Sequence, residues 1–194
     1  MTIRRIAALL LAATFASPVF AAPQAYQFDK AHTNIIFFIS HLGFSNMEGE
    51  FKKFDGTLNF DPENIAASSV QVSIQVDGVA TDVPALDEHL QKAEFFNAAQ
   101  FPSMDFASTA VTVAGDNRLK VTGNLTLLGV TKPVTMDVIL NKAGPHPFSK
   151  APAAGFSATT TIKRSDFGMS AMLGMLGDEV SIRIETEAQV AVAK

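Results

Sequence analysis

Apolar and polar residues alternate with a period of two along most of this chain. Val70, Val72, Ile74 and Val76 alternate with Gln71, Ser73, Gln75 and Asp77. Leu119, Val121, Leu125 and Leu127 oppose Lys120, Thr122, Asn124 and Thr126, and Val134, Met136, Val138 and Leu140 form a third strip. Toward the C-terminus Val180, Ile182, Ile184, Ala188, Val190 and Val192 oppose Ser181, Arg183, Glu185, Glu187 and Gln189. Phe54, Leu58 and Phe60 make another strip; Met104 with Phe106, and Phe156 with Ile162, mark two more strands. Successive strand residues point to opposite faces, so each strip predicts a strand with one face on a core. Phe51 is out of phase with Phe54, which places a bulge near Lys52 and Lys53. Turn signals at Asp61-Pro62, Gly115-Asp116-Asn117, Gly129 and Asn141 to Pro147 separate the segments. The sum is eight or nine antiparallel strands, spaced as in a barrel or a sandwich. An up-and-down barrel gathers the apolar faces inside and leaves no edge, and is the fold expected here.

Two segments depart from the alternation. In the stretch 80–102, Val83, Leu86, Leu90 and Ala93 recur at helical spacing. Asp82 is placed to cap that helix, Pro84 fits its first turn, and Phe95, Phe96 and Phe101 follow before Pro102. The stretch HTNIIFFISHLGFS, residues 32–45, is apolar on both faces. Ile35, Phe37 and Ile39 share a face with His41 and are assigned to the interior. Ile36 and Phe38 are assigned to the covering helix or to a second copy of the chain.

Composition narrows the class. The first 21 residues carry Arg4 and Arg5, an apolar run from Ile6 to Ala16, and small residues before Ala22, which reads as a cleaved export signal. The run is shorter than the roughly 20 apolar residues a spanning helix needs. The domain is then 22–194, exported and not membrane-spanning. The net charge is −4, and the leader holds basic residues but no acidic ones, so the remainder is more acidic still. A net-negative domain with no basic run argues against nucleic-acid binding. Cysteine is absent, which excludes disulfides and thiolate chemistry. Sixteen phenylalanines against one tyrosine and no tryptophan point to an interior with few polar tips to satisfy.

Candidate chemistry is sparse. The four histidines, at 32, 41, 89 and 146, have no metal-ligand spacing, so no metal or cofactor is assigned. His32 and His41 are expected to be hydrogen-bonded at a barrel rim. There is no Gly-x-Ser-x-Gly elbow and no glycine-rich phosphate loop, and Asp87-Glu88-His89 are neighbours in a helix that cannot face one another. In 164–180, Met169, Met172 and Met175 fall three apart among Leu173, Leu176 and three glycines. That segment either plugs one barrel end or forms an adaptable apolar lip over a cavity.

Several ordered blocks carry a family resemblance. They are Asp29-Lys30-Ala31-His32-Thr33, His41-Leu42-Gly43-Phe44-Ser45, Gly49-Glu50-Phe51, and Phe54-Asp55-Gly56-Thr57-Leu58. His89-Leu90, Phe95-Phe96 and Phe101-Pro102 follow, then the stretch from Gly123 to Val134, then Arg164-Ser165-Asp166-Phe167-Gly168-Met169. Together they resemble the YceI-like family of bacterial periplasmic, polyisoprenoid-binding proteins. Thr33 stands where that family often has serine, and keeps the hydroxyl. The resemblance implies an extended lipocalin-like antiparallel barrel, mainly β with one or two short helices. It also implies an elongated apolar cavity for a long isoprenoid or fatty-amide-like amphiphile, homodimers in some members, and binding without established catalysis. Ile35, Phe37, Ile39, Phe54, Phe106, Met136 and Met172 are the ligand-contact candidates, with no catalytic residues. Lys132, Lys163 and Arg164 are expected to be solvated at the surface, where one of them could face an anionic head group. Two other functions remain open on the sequence: a haem- or quinone-handling redox partner using His32, His41 or His89, and a secreted ester hydrolase with His41 or His89 as base.

Overall fold

The computed structural model describes residues 22–191, so the export signal and Val192 lie outside the described residues. Eleven strands run in chain order: β1 Gln24–Phe28, β2 Asn34–His41, β3 Ser45–Phe51, β4 Phe54–Phe60, β5 Ser69–Gln75, β6 Val79–Ala80, β7 Ser103–Val113, β8 Arg118–Leu127, β9 Val130–Pro145, β10 Pro152–Lys163 and β11 Leu176–Val190. Among the described residues one short α-helix, α1 (Pro84–Leu90), precedes β7. All pairings are antiparallel, and β1 also pairs with β11, which closes the sheet. The sandwich is thereby excluded.

Eleven strands reduce to eight long ones because three neighbouring strands are each broken at one level. β1 and β2 both run along β11, with Phe28 opposite Ala188 and Asn34 opposite Glu185. The five residues 29–33 therefore bulge out between them. β3 and β4 are likewise one strand interrupted at Lys52-Lys53, since β3 pairs with β2 and β4 with β1. That is the break the phase shift at Phe51 predicts. β5 and β6 join through a 3-10 turn at Val76–Gly78, where the sequence expected the strand to continue through Val76. The Lys52 N–H donates to the Gly78 carbonyl and the Gln75 N–H to the Lys53 carbonyl, so the breaks are tied together. The result is an eight-stranded up-and-down barrel whose wall bends along one line. Bulges of this kind increase local twist and let a strand turn a corner without exposing its apolar face.

The bend separates two apolar clusters. On one side Tyr26, Leu58, Phe60, Leu119, Val121, Val138, Leu140, Phe156 and Ala188 pack together. On the other, Ile35, Phe51, Phe54, Phe95, Phe96, Met104, Leu127, Phe167 and Met169 do so. Phe95 and Phe96 come from the turns after α1, and both are buried. This corrects the assignment of the helical segment to the outer face of β2: Leu90, Phe95 and Phe96 pack toward the interior beside Phe51 and Phe37. On the outer face, Ile36 is half-buried between its partners Glu50 and Arg183, and Phe38 between Glu48 and Ser181. Long charged side chains can cover such positions with their aliphatic stems. Asp82 does not cap α1. It has φ +61°, Val83 is the N-cap, and Asp87 accepts hydrogen bonds from the Thr81 N–H (2.7 Å) and hydroxyl (2.6 Å) instead. The helix ends at Leu90, short of Ala93.

Candidate functional site: an apolar cavity along the barrel

The inward residues of the eight strands do not fill the barrel. They enclose a cavity of about 530 Å³ that reaches both apolar clusters. All seven residues nominated from the sequence line it: Ile35, Phe37 and Ile39 on β2, Phe54 on β4, Phe106 on β7, Met136 on β9, and Met172 in the loop before β11. Their side chains project inward because their strands alternate in register: Phe37 faces Gly49, Ile39 faces Met47, and Ile35 faces Ile184.

Two aromatic walls depend on glycine. A Cβ at Gly49 would lie 2.2 Å from the tip of the Phe37 ring, and one at Gly123 would lie 2.3 Å from the tip of Phe106. Each ring tip therefore reaches over a glycine of a neighbouring strand, where any larger residue would push it away. Volume that a side chain would have occupied is left open.

One end is sealed. Phe60 meets Tyr26 edge-on at 5.6 Å and Phe156 edge-on at 5.5 Å. Ile65, from a 3-10 turn at Ile65–Ala67, packs against the same cluster. That turn is fixed by the buried carboxylate of Asp61, which accepts from the Glu63 and Asn64 N–H groups at 2.9 and 3.0 Å.

The other end is open and apolar. His41, Met47, Leu86, His89 and Met172 line the cavity there. Leu42, Phe44, Leu173 and Met175 stand exposed beside it, with Phe44 at 90%. The methionine segment is neither a plug nor a free lip throughout: Met169 is buried, while Met172 is 45% exposed. The segment is held by Arg164, contrary to the surface solvation expected of it. Its side chain is 2% exposed. Nε donates to the Gly177 carbonyl at 2.8 Å, and Nη1 donates to those of Met169 at 3.0 Å and Ala171 at 2.7 Å. Burial lowers the guanidinium pKa, opposed by the nearby Asp178 carboxylate. Asp178 itself is held below the usual range by hydrogen bonds from the Ser165 N–H and hydroxyl.

The histidines are spread over separate elements. His41 is exposed at the end of β2, on the mouth. His89, on α1, contacts Glu94 and meets Phe95 edge-on at 5.1 Å. His32 is hydrogen-bonded as expected, but at the bend instead of a rim: Nδ1 lies 2.9 Å from Asp29 Oδ2. That contact raises the His32 pKa and, as the largest cause, lowers that of Asp29. Glu187 lies beside the pair, and the three ligand atoms fall within 4.8 Å of one another in an exposed cluster. Asp29 Oδ1 also accepts from the Ala31 N–H at 2.9 Å, so the carboxylate fastens the turn that links β1 to β2.

A family model for the YceI-like domain matches residues 26–188. The chain belongs to the YceI-like family. It is 44% identical over 184 residues to Protein YceI of Salmonella agona, covering 92% of this chain and 95% of that one. Among solved structures it is similar to BcnA of Burkholderia cenocepacia, with a TM-score of 0.76 and 28% identity, over 84% of this chain and 99% of that one. It is also similar to the Campylobacter jejuni YceI protein, with a TM-score of 0.70 and 31% identity, over 79% and 90% of the two chains. A polyisoprenoid binding domain from Saccharophagus degradans shares the fold, at a TM-score of 0.63 and 14% identity over 86% of this chain and 98% of that one. The family membership and the barrel expected from the sequence therefore stand.

Sequence reasoning missed several cavity residues. Phe28, Phe51, Phe95, Phe96 and Thr186 line it as well. Phe28 and Thr186 obey the same alternation as their neighbours and could have been read from it. Phe95 and Phe96 could not, because their burial depends on how the turn after α1 folds back.

Proposed function

We propose that this protein is a periplasmic carrier or store for a long-chain apolar amphiphile held along the barrel interior. Polyisoprenoids, isoprenoid quinones and fatty-amide-like lipids fit the description. The observation that carries this reading is the apolar cavity of about 530 Å³, open at one end. Small-molecule sites commonly measure 300–1,000 Å³ and are mostly apolar with a few placed polar groups. Burying apolar ligand surface is worth roughly 25 cal/mol per Å², so a long chain needs few polar contacts to be held. The polyisoprenoid-binding domain that shares the fold supports the same ligand class. The reading is one of binding, with no chemical step assigned. Export rests on the basic and apolar leader, and pairing of two copies on the family resemblance.

The test is recovery of the cargo. Protein purified gently from its native host yields one lipid per chain on solvent extraction and mass spectrometry. An empty protein that also takes up neither polyprenols nor quinones refutes the reading. Velocity sedimentation of the same preparation tests the pairing.

A further inference from the structure

Away from its mouth the cavity wall carries few polar groups, and one buried pair stands among them. Thr33, in the bend between β1 and β2, is 7% exposed, and its Oγ1 lies 2.8 Å from Oγ1 of Thr186 on β11. Both line the cavity. They sit where the two apolar clusters meet: Thr186 pairs with Phe156 of the sealed end, and Ile35, two residues past Thr33, belongs to the open half. Eight residue steps lead along the strand from Thr33 to His41 at the mouth, roughly 25 Å.

A proton count gives the pair a use. Each hydroxyl brings one donor proton, and their mutual bond consumes one of the two. The second is available to an acceptor. Ser68 and Ser69, near the sealed end, also line the cavity, but they are only half-buried, and their hydroxyls accept from the Asp61 N–H and the Asn59 side-chain amide. Three further polar groups of the wall donate to the protein itself. Thr160 donates to the Thr135 carbonyl at 2.9 Å, Thr81 to Asp87, and Arg164 to the carbonyls of its own loop. A hydroxyl proton facing an apolar cavity gains most from an uncharged oxygen acceptor brought in by the occupant.

We propose that Thr33 and Thr186 bind the oxygen-bearing group of the lipid, a carbonyl or hydroxyl, so that this end lies deep and the apolar tail runs to the mouth. The inference rests on the carrier reading. It fits the exposed apolar residues beside the opening, among them Met172 and Leu173, which suit a tail better than a head group.

The test compares two probes on delipidated protein: geranylgeranylacetone, a prenyl ketone, and squalene, a prenyl hydrocarbon without oxygen. The wild-type protein binds both, and the infrared carbonyl band of the ketone shifts down on binding. The double variant Thr33→Val with Thr186→Val loses roughly 3- to 10-fold in ketone affinity, one neutral hydrogen bond, and keeps squalene affinity. Thr33→Ser with Thr186→Ser retains ketone binding and the band shift. An unshifted carbonyl band in wild-type protein overturns the inference whether or not the valine variant folds. Equal losses for both probes also overturn it, because the pair is then only packing. Failure of the wild-type protein to bind either probe overturns the carrier reading itself.

Discussion

At the sealed end of the barrel three aromatic rings meet edge to face, and a carboxylate-pinned turn lays Ile65 over them. At the open end the same inward alternation continues, but the residues that would close it are Met172, Leu173 and Met175, all about half exposed. Phenylalanine at a fixed ring angle and methionine in a glycine-punctuated loop are both apolar, so hydrophobicity does not distinguish the ends. Rigidity does. Phe60 is 1% exposed and touches rings on two sides. Met172 has φ +55°, is followed by Gly174 at φ +92°, and is anchored only through the backbone carbonyls around it. Methionine is unbranched and adapts its shape to what it meets. The sealed end thus sets the depth of the cavity, and the open end can accommodate a chain passing through.

The largest expected effect follows from that contrast. Phe60→Ala at the sealed end costs about 3–5 kcal/mol in urea unfolding, because a fully buried ring leaves a cavity behind. Met172→Ala at the mouth costs about 0.5 kcal/mol or less, as for other exposed positions. Similar losses at the two sites break the comparison, since the mouth would then be as tightly packed as the floor.

Next in size is Arg164→Ala. Removing the guanidinium strips donors from the carbonyls of Met169, Ala171 and Gly177. Buried acceptors left unpaired cost about 1–3 kcal/mol each when water cannot replace the donor, and the mouth admits some water, so about 3 kcal/mol in all is expected. Hydrogen exchange sharpens the comparison. Amides of 169–177 lose protection, while those of β4 and β8 exchange with the global stability alone. Loss of protection beyond that at both ends shows that they are one cooperative unit.

Much of this was legible in the sequence, for identifiable reasons. The inward set could be read because strand parity is local: Ile35, Phe37 and Ile39 point one way whatever lies above them. The break at Lys52-Lys53 could be read because Phe51 and Phe54 are both apolar yet three apart, which one unbroken strand cannot bury on one face. The helix was read too long. Phe95 and Phe96 are both buried, and consecutive residues of a helix point about 100° apart, so the chain leaves the helix at Leu90 and buries both from a turn. Arg164 was misread because its partners are carbonyls, which carry no sequence signal, gathered by a loop that closes only in the folded chain. The cavity itself was not legible from alternation, because a filled barrel has the same pattern. It depends on where Phe37 and Phe106 lie, and that is set by Gly49 and Gly123 on other strands.

The smallest effect tests the bend that joins the two ends. The His32–Asp29 contact raises the folded pKa of His32 above its ordinary 6.5 and lowers that of Asp29 below its ordinary 3.8. A raised histidine contributes stability that is fully present below its unfolded pKa and is lost as pH rises through the folded one. A lowered aspartate contributes stability present above its unfolded pKa and lost as pH falls through the folded one. The pair therefore supports the bend most fully between the two ordinary values, and progressively less on either side. A proton NMR titration of wild-type protein shows the His32 midpoint above 6.5, and Asp29→Asn brings it down toward that value. Because His32 is exposed, the change in global stability is small and screened by salt. The informative signal is the midpoint: if Asp29→Asn leaves it unmoved, the His32 ring contact adds nothing to the turn, and the bend is held by the backbone bonds around Asp29, its bond from the Ala31 N–H, and the strand pairings of β1 and β2 with β11.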